Sequence, residues 1–172
     1  MLNITNYKIS LKVLPICLDS VCDIAKKSNI KIKRYNNFLV IQSEFTYIIF
    51  KNKKGFNTHV NITKIRTFEK IKEAQTFLFL NFLKCLKSDI IAVKIDNITA
   101  SHNLKKNIDI SQILKNFENL CDVRYNNETF PGVFLKHALG TIILFHSGKA
   151  ILIGSKDISS LKCLVQFLVA NI

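Results

Sequence analysis

The sequence predicts an α+β fold: two copies of one unit, each a strand, a short helix, further strands and a closing helix, joined in one antiparallel sheet with the helices on a single face. Three observations predict it. The tetrapeptide Arg34-Tyr35-Asn36-Asn37 returns as Arg124-Tyr125-Asn126-Asn127, an offset of 90 residues (34 to 124), and Leu18-Asp19 corresponds to Ile108-Asp109 at the same offset. The same order of alternating segments and helical stripes surrounds both copies, which is the mark of an internal repeat. No Pro/Gly/Ser-rich linker separates them, since Lys84–Ile90 runs almost directly into the next strand. Residues 1–87 and 88–172 are therefore read as two repeats of one domain.

Each element has its own warrant. The opening strands alternate, with Ile9, Leu11 and Val13 in the first copy and Ile91, Val93 and Ile95 in the second. A short helix follows in each, over 19–27 and 111–119, with Asp19 and Asp109 as its caps. Strands come next, over 38–43, 46–51 and 56–62 in the first copy and 133–137, 141–146 and 150–154 in the second. Phe38-Leu39-Val40 parallels Phe130-Pro131-Gly132-Val133, with two residues added in the second copy. Gly55 and Gly148 lie in the turns before the last strands, where a tight hairpin needs positive φ. The closing helices carry the stripes Phe68, Ile71, Gln75, Leu78, Phe82 and Ile158, Leu161, Leu164, Val165, Leu168, both read as core-facing.

Composition narrows the function. The 172 residues include 25 Lys and Arg against 12 Asp and Glu, a formal net charge of +13, with a hydrophobic fraction of 48%. So basic a chain with enough apolar residue for a core points to a folded protein that meets a polyanion. The five cysteines are odd in number and scattered, so free thiols in a reducing compartment are expected, and the four histidines show no zinc spacing with them. The opening residues lack a signal-peptide pattern, and the longest apolar stretches are too short or too broken to span a bilayer, which predicts a soluble, intracellular protein without a membrane partner. No triad order, paired carboxylates, P-loop or GxGxxG appears, so an enzyme with a small-molecule substrate or cofactor is not expected. A sheet with helices on one face leaves its other face for water or a partner.

The segment from Phe130-Pro131-Gly132 through Ser147-Gly148-Lys149 to Gly154-Ser155-Lys156 resembles the second repeat of the TATA-binding protein family, which reads FPG, SGK and TGAK in that order. Tyr125 to Phe130 is similar to the family's YEPELF, and Lys94-Ile95-Asp96-Asn97-Ile98 to its KIQNI. The resemblance is good over 94–170 and weaker but co-linear over 6–85. It implies a saddle, a single curved antiparallel sheet with helices on the convex face, that grips and bends AT-rich DNA from the minor groove. Minor-groove architectural proteins push apolar wedges between base steps, and this family is a standard example of them.

The resemblance assigns roles residue by residue. Phe130 and Phe145, with Phe38 and Phe50 in the first copy, match the family's intercalating phenylalanines. Asn97 and Asn6 match the central asparagines that meet base-edge acceptors. Thr99, Thr141, Ile143, Ile151 and Ile153 match groove-floor contacts, with Phe56 and Thr58 chosen in the first copy. Lys136, Lys149 and Lys156, with Lys54 as the counterpart of Lys149, match phosphate contacts. Glu128 alone survives of the loop that meets a transcription factor IIB-like partner, beside the RNA polymerase machinery as the implied assembly.

Departures leave an alternative open. Phe130 to Phe145 spans 15 residues and Phe38 to Phe50 spans 12, both shorter than in the family, and Glu44 replaces a phosphate-binding arginine. Besides a promoter-binding initiation factor, the chain is therefore read as an interaction subunit of a transcription factor complex with little DNA binding of its own. The Ile/Lys/Asn-rich composition fits a large DNA virus or a reduced genome, hence a nucleus or a cytoplasmic viral factory.

Overall fold

Alternating side chains drive the strands, and the hydrogen-bond ladder fixes which face each side chain meets. In the computed structural model, which describes residues 1–53 and 55–172, the first repeat runs β1 (Leu2–Val13), α1 (Leu18–Lys27), β2 (Ile32–Arg34), β3 (Phe38–Gln42), β4 (Thr46–Phe50), β5 (Thr58–Ile65) and α2 (Lys70–Leu78). The second runs β6 (Ile90–Asn103), α3 (Ile110–Phe117), β7 (Asp122–Asn126), β8 (Phe130–His137), β9 (Gly140–Phe145), β10 (Lys149–Ser155) and α4 (Ile158–Ala170). Two compact units result: Asn6–Asp96, and Asn97–Ile172 with Met1–Thr5. Their boundaries fall inside β1 and β6 rather than in a linker.

Within Asn6–Asp96 the strands pair in the order β2-β3-β4-β5-β1, and within Asn97–Ile172 in the order β7-β8-β9-β10-β6. The two orders are the same topology, and every pairing is antiparallel. The repeat legible in the tetrapeptide is thus a repeat of the whole ladder. The edge strands β2 and β7 are absent from the sequence expectation: β2 is only three residues long, and the alternation of β7 rests on Val123 and Tyr125 alone.

One face of each unit is closed by helices. In Asn6–Asp96, Ile9, Leu11, Ile41, Tyr47 and Val60 are fully buried, as are Val21 of α1 and Ala74 of α2. The Tyr47 hydroxyl donates to the Ala74 carbonyl at 2.9 Å, tying β4 to α2, and burial pushes this phenol's pKa well up. In the other unit Leu135, Ile142, Leu144 and Leu152 are buried, as are Ile113 and Phe117 of α3 and Leu161, Leu164 and Leu168 of α4.

Three local expectations are corrected. Asp109 does cap α3, accepting from the Ser111 N–H at 2.8 Å, but Cys17 holds the cap position of α1 without a side-chain hydrogen bond, and Asp19 sits in the first turn. Phe68 is not in the core stripe of α2, because it precedes the helix and is 60% exposed. After Leu78 the helix widens into a π-turn, Phe79–Leu83, in which Lys84 N–H bonds to the Phe79 carbonyl at 2.9 Å. The extra residue brings both Phe82 and Leu83 into the core. Ile158, at the start of α4, is likewise 38% exposed and outside the core.

Candidate nucleic-acid interface

The face away from the helices is lined by the alternate residues of each strand. In Asn97–Ile172 one row crosses four strands, Phe134–Ile143–Ile151–Ser101, and the next holds Lys136–Thr141–Ile153. These side chains are exposed or half-buried, whereas Ala100, Val133, Leu135, Ile142, Leu144 and Leu152 beside them are buried. Ile143, Ile151 and Ile153 make an apolar floor, with Thr141 and Thr99 beside it. Asn97 is held in a fixed orientation: its amide oxygen accepts from the Gly154 N–H at 2.6 Å, and its Nδ2 donates to the Thr99 hydroxyl at 3.3 Å. The amide therefore presents N–H outward, the group that matches the acceptors of a minor groove.

Phe130 and Phe145 stand together at one end of this floor. Their ring centroids are 5.8 Å apart in an edge-to-face arrangement, with Phe134 5.2 Å from Phe130. Gly132 makes the pairing possible. It lies opposite Phe145 in the ladder, and a Cβ there would stand 2.7 Å from the Phe130 ring and 2.9 Å from Ile143. Phe130 stays 37% exposed, against 0% for Phe117 in the core. Lys136, Lys149 and Lys156 are exposed around the same face, at the end of β8, the start of β10 and just after β10. Glu128 is exposed in the β7–β8 turn, where its N–H donates to the Asn126 side chain.

In Asn6–Asp96 the corresponding rows are Val40–Ile48–Asn61–Ser10 and Gln42–Thr46–Thr63, with Phe38 opposite Phe50 and Lys12 opposite His59. The register shows which residues correspond. Ser10 and Ser101 end matching rows and are 91 apart, as are Asn6 and Asn97, and each ladder slips at the same point beyond them. Asn61 then stands where the other unit has Ile151, Thr63 where it has Ile153, and Lys64 (φ 66°) where it has Gly154 (φ 90°).

This register alters two parts of the sequence reading. Phe38 corresponds to Gly132, not to Phe130, because each lies directly opposite the phenylalanine of the next strand, Phe50 or Phe145. Its ring stacks on Tyr35 with centroids 4.5 Å apart and lies 6.3 Å from Phe50, which is 37% exposed. Thr58 is corrected outright. It is buried on the helix side, its hydroxyl accepting from the Ile16 N–H at 3.2 Å, so it does not reach the open face. His59, Asn61 and Thr63 are the β5 residues that do, and strand phase was the signal that pointed to them. Phe56 is 66% exposed and shares a hollow with Lys12, Lys51, Lys53 and His59. Lys54 lies outside the described residues.

Charge and hydrogen bonding differ between the two open faces. Asp96 faces Ser10, whose hydroxyl donates to it at 3.0 Å, and lies 3.9 Å from the Lys8 ammonium. Glu44 is ion-paired with Lys70 at the start of α2. The amide oxygen of Asn6 and the hydroxyl of Thr46 are buried without a hydrogen-bond partner. Among the described residues no group of three or more His, Cys, Asp or Glu is arranged to hold a metal ion, and no helix is long and apolar enough to cross a membrane.

Comparison with known proteins places this geometry. Residues 92–172 match the family model of transcription factor TFIID, or TATA-binding protein. The TATA-box-binding protein of Methanothermobacter thermautotrophicus is 36% identical over 81 residues, covering 46% of this chain and 43% of that protein. That of Archaeoglobus fulgidus is 32% identical over 79 residues, covering 45% and 42%. The matched stretch thus spans less than half the length of these curated relatives. Among solved structures, Methanococcus jannaschii TBP aligns with a TM-score of 0.81 at 21% identity, over 99% of this chain and 97% of that one. This likeness carries the α+β fold across the first repeat as well, which the family model does not reach.

Proposed function

We propose that this chain, a protein of the TATA-binding-protein family, is a transcription initiation factor that binds AT-rich promoter DNA in the minor groove and bends it. One observation carries the reading. Each unit sets a phenylalanine pair at the margin of an open sheet face, Phe130 with Phe145 and Phe38 with Phe50, where apolar rings stay partly exposed beside lysines. Exposed aromatic rings on a basic surface lack a purpose in the free protein and fit base steps that are to be unstacked. Lys136, Lys149 and Lys156 would contact phosphates, and Glu128 would face a transcription factor IIB-like partner and, through it, the polymerase machinery.

A TATA-containing duplex labelled at both ends tests this directly, with bending read by energy transfer. If about 6–10 phosphates are contacted, affinity falls roughly 10³–10⁵-fold between about 50 and 200 mM salt. A second reading, an interaction subunit with little DNA binding of its own, draws on Asp96 and Glu44 in the Asn6–Asp96 unit, whose carboxylates would repel phosphate. Salt-insensitive binding without bending would favour it.

A further inference from the structure

The two open faces differ in hydrogen-bonding character at two matched positions, one pair on β5 and one on β10. In Asn97–Ile172 the floor is Ile143, Ile151 and Ile153, and the Asn97 amide oxygen is already occupied by the Gly154 N–H. At the two β10 positions that face therefore offers a ligand hydrocarbon and no side-chain acceptor. In Asn6–Asp96 the register puts Asn61 at the place of Ile151 and Thr63 at the place of Ile153. Lys64 occupies the place of Gly154, and the side chain of Asn61 is half-buried on the open row. That face therefore offers acceptor atoms as well.

The minor groove contains one donor, the N2 amino group of guanine; every other base-edge group there is an acceptor. An isoleucine floor buries that amino group with nothing to receive its hydrogen, which is the costly case for a polar group. An asparagine receives it through Oδ1 while its Nδ2 still serves the acceptors of an A·T pair.

We infer that the base pairs lying against the Asn6–Asp96 unit can include G·C, with Asn61 accepting from the guanine amino group, while those lying against Asn97–Ile172 must be A·T. The inference rests on the proposed minor-groove reading. It makes the recognised site asymmetric, with one strict half and one permissive half, and so gives a pseudo-symmetric protein a basis for orientation on DNA.

The test uses the full chain and a series of duplexes in which a single G·C pair is moved step by step through an all-A·T site. Affinities are expressed relative to the all-A·T duplex for the same protein. Wild type should lose about tenfold or more per G·C pair in one half, the order of an ordinary mismatch, and about threefold or less in the other. Asn61→Val, a substitution that suits a strand, should raise the permissive half to the tenfold penalty. Ile151→Asn should lower the penalty in the strict half. Melting curves confirm that each variant is folded. Equal penalties in both halves, or a profile that Asn61→Val leaves unchanged, would overturn the inference while leaving the DNA-binding reading standing. Failure to bind any duplex at low salt would overturn both.

Discussion

Replacing Phe130 with alanine asks whether its ring is a wedge or a piece of core, and Phe117 supplies the control within the same unit. Full burial of a large apolar side chain is worth about 1.5–3 kcal/mol by transfer, and truncation of a buried phenylalanine costs about 3–5 kcal/mol once the cavity is included. Phe130 is 37% exposed in the free protein, so roughly two-thirds of that transfer term is at stake and no closed cavity remains. Phe130→Ala should therefore cost about 1–2 kcal/mol, and Phe117→Ala, at 0% exposure, the full core value. At about 2–4 °C per kcal/mol for a chain of this size, the first melts about 2–8 °C lower and the second about 6–20 °C lower. The bending assay should reverse the ranking. Folded Phe117→Ala bends DNA like wild type, whereas Phe130→Ala binds more weakly and bends less, because its base step is no longer unstacked. A Phe130→Ala protein that melts as low as Phe117→Ala, yet bends normally while folded, would refute the wedge assignment.

Two further outcomes follow from other sites. Thr58→Val should lose about 1–3 kcal/mol, since it strands the buried Ile16 N–H, and should leave the DNA affinity of the folded protein alone; a loss of affinity with no change in melting would return Thr58 to the interface. Asp157 caps α4, and the N–H and hydroxyl of Ser160 that donate to its carboxylate lower its pKa. A lowered pKa stabilises the fold above the ordinary carboxylate value of about 4 and is lost as pH falls through the folded value. Asp157→Asn should therefore melt lower at neutral pH and lose part of the acid decline, and identical melting profiles against pH would refute the cap.

The sequence carried the second repeat almost whole, because Phe130-Pro131-Gly132 and Ser147-Gly148-Lys149 bracket a strand pair whose members then follow by alternation. The first repeat lacks such brackets. Matching Phe38 to Phe130 by residue type was natural, yet only the ladder shows that Phe38 faces Phe50 as Gly132 faces Phe145. Counted from those pairs the two hairpins differ by a single residue, 12 against 13, so the first is far less clipped than the phenylalanine spacing implies. The error at Thr58 has the same origin. A one-residue change of phase sends every side chain of a strand to the opposite face, and Thr58 is in phase with the buried Val60 and Ile62. Phe68 escaped because a helical stripe does not reveal where its helix begins.

The widened turn at Phe79–Leu83 uncouples residue count from packing phase. Each residue of a regular helix advances by roughly 100°, so excising the exposed Leu80 would restore ordinary hydrogen bonding while swinging Phe82 and Leu83 by about that angle relative to the residues before them. Such a deletion would be neat as backbone and ruinous as packing. The segment between α2 and β6 is thus a place where length is set by the core rather than by the helix, and a shortened variant would be recognised first by the aromatic side chain it can no longer shelter.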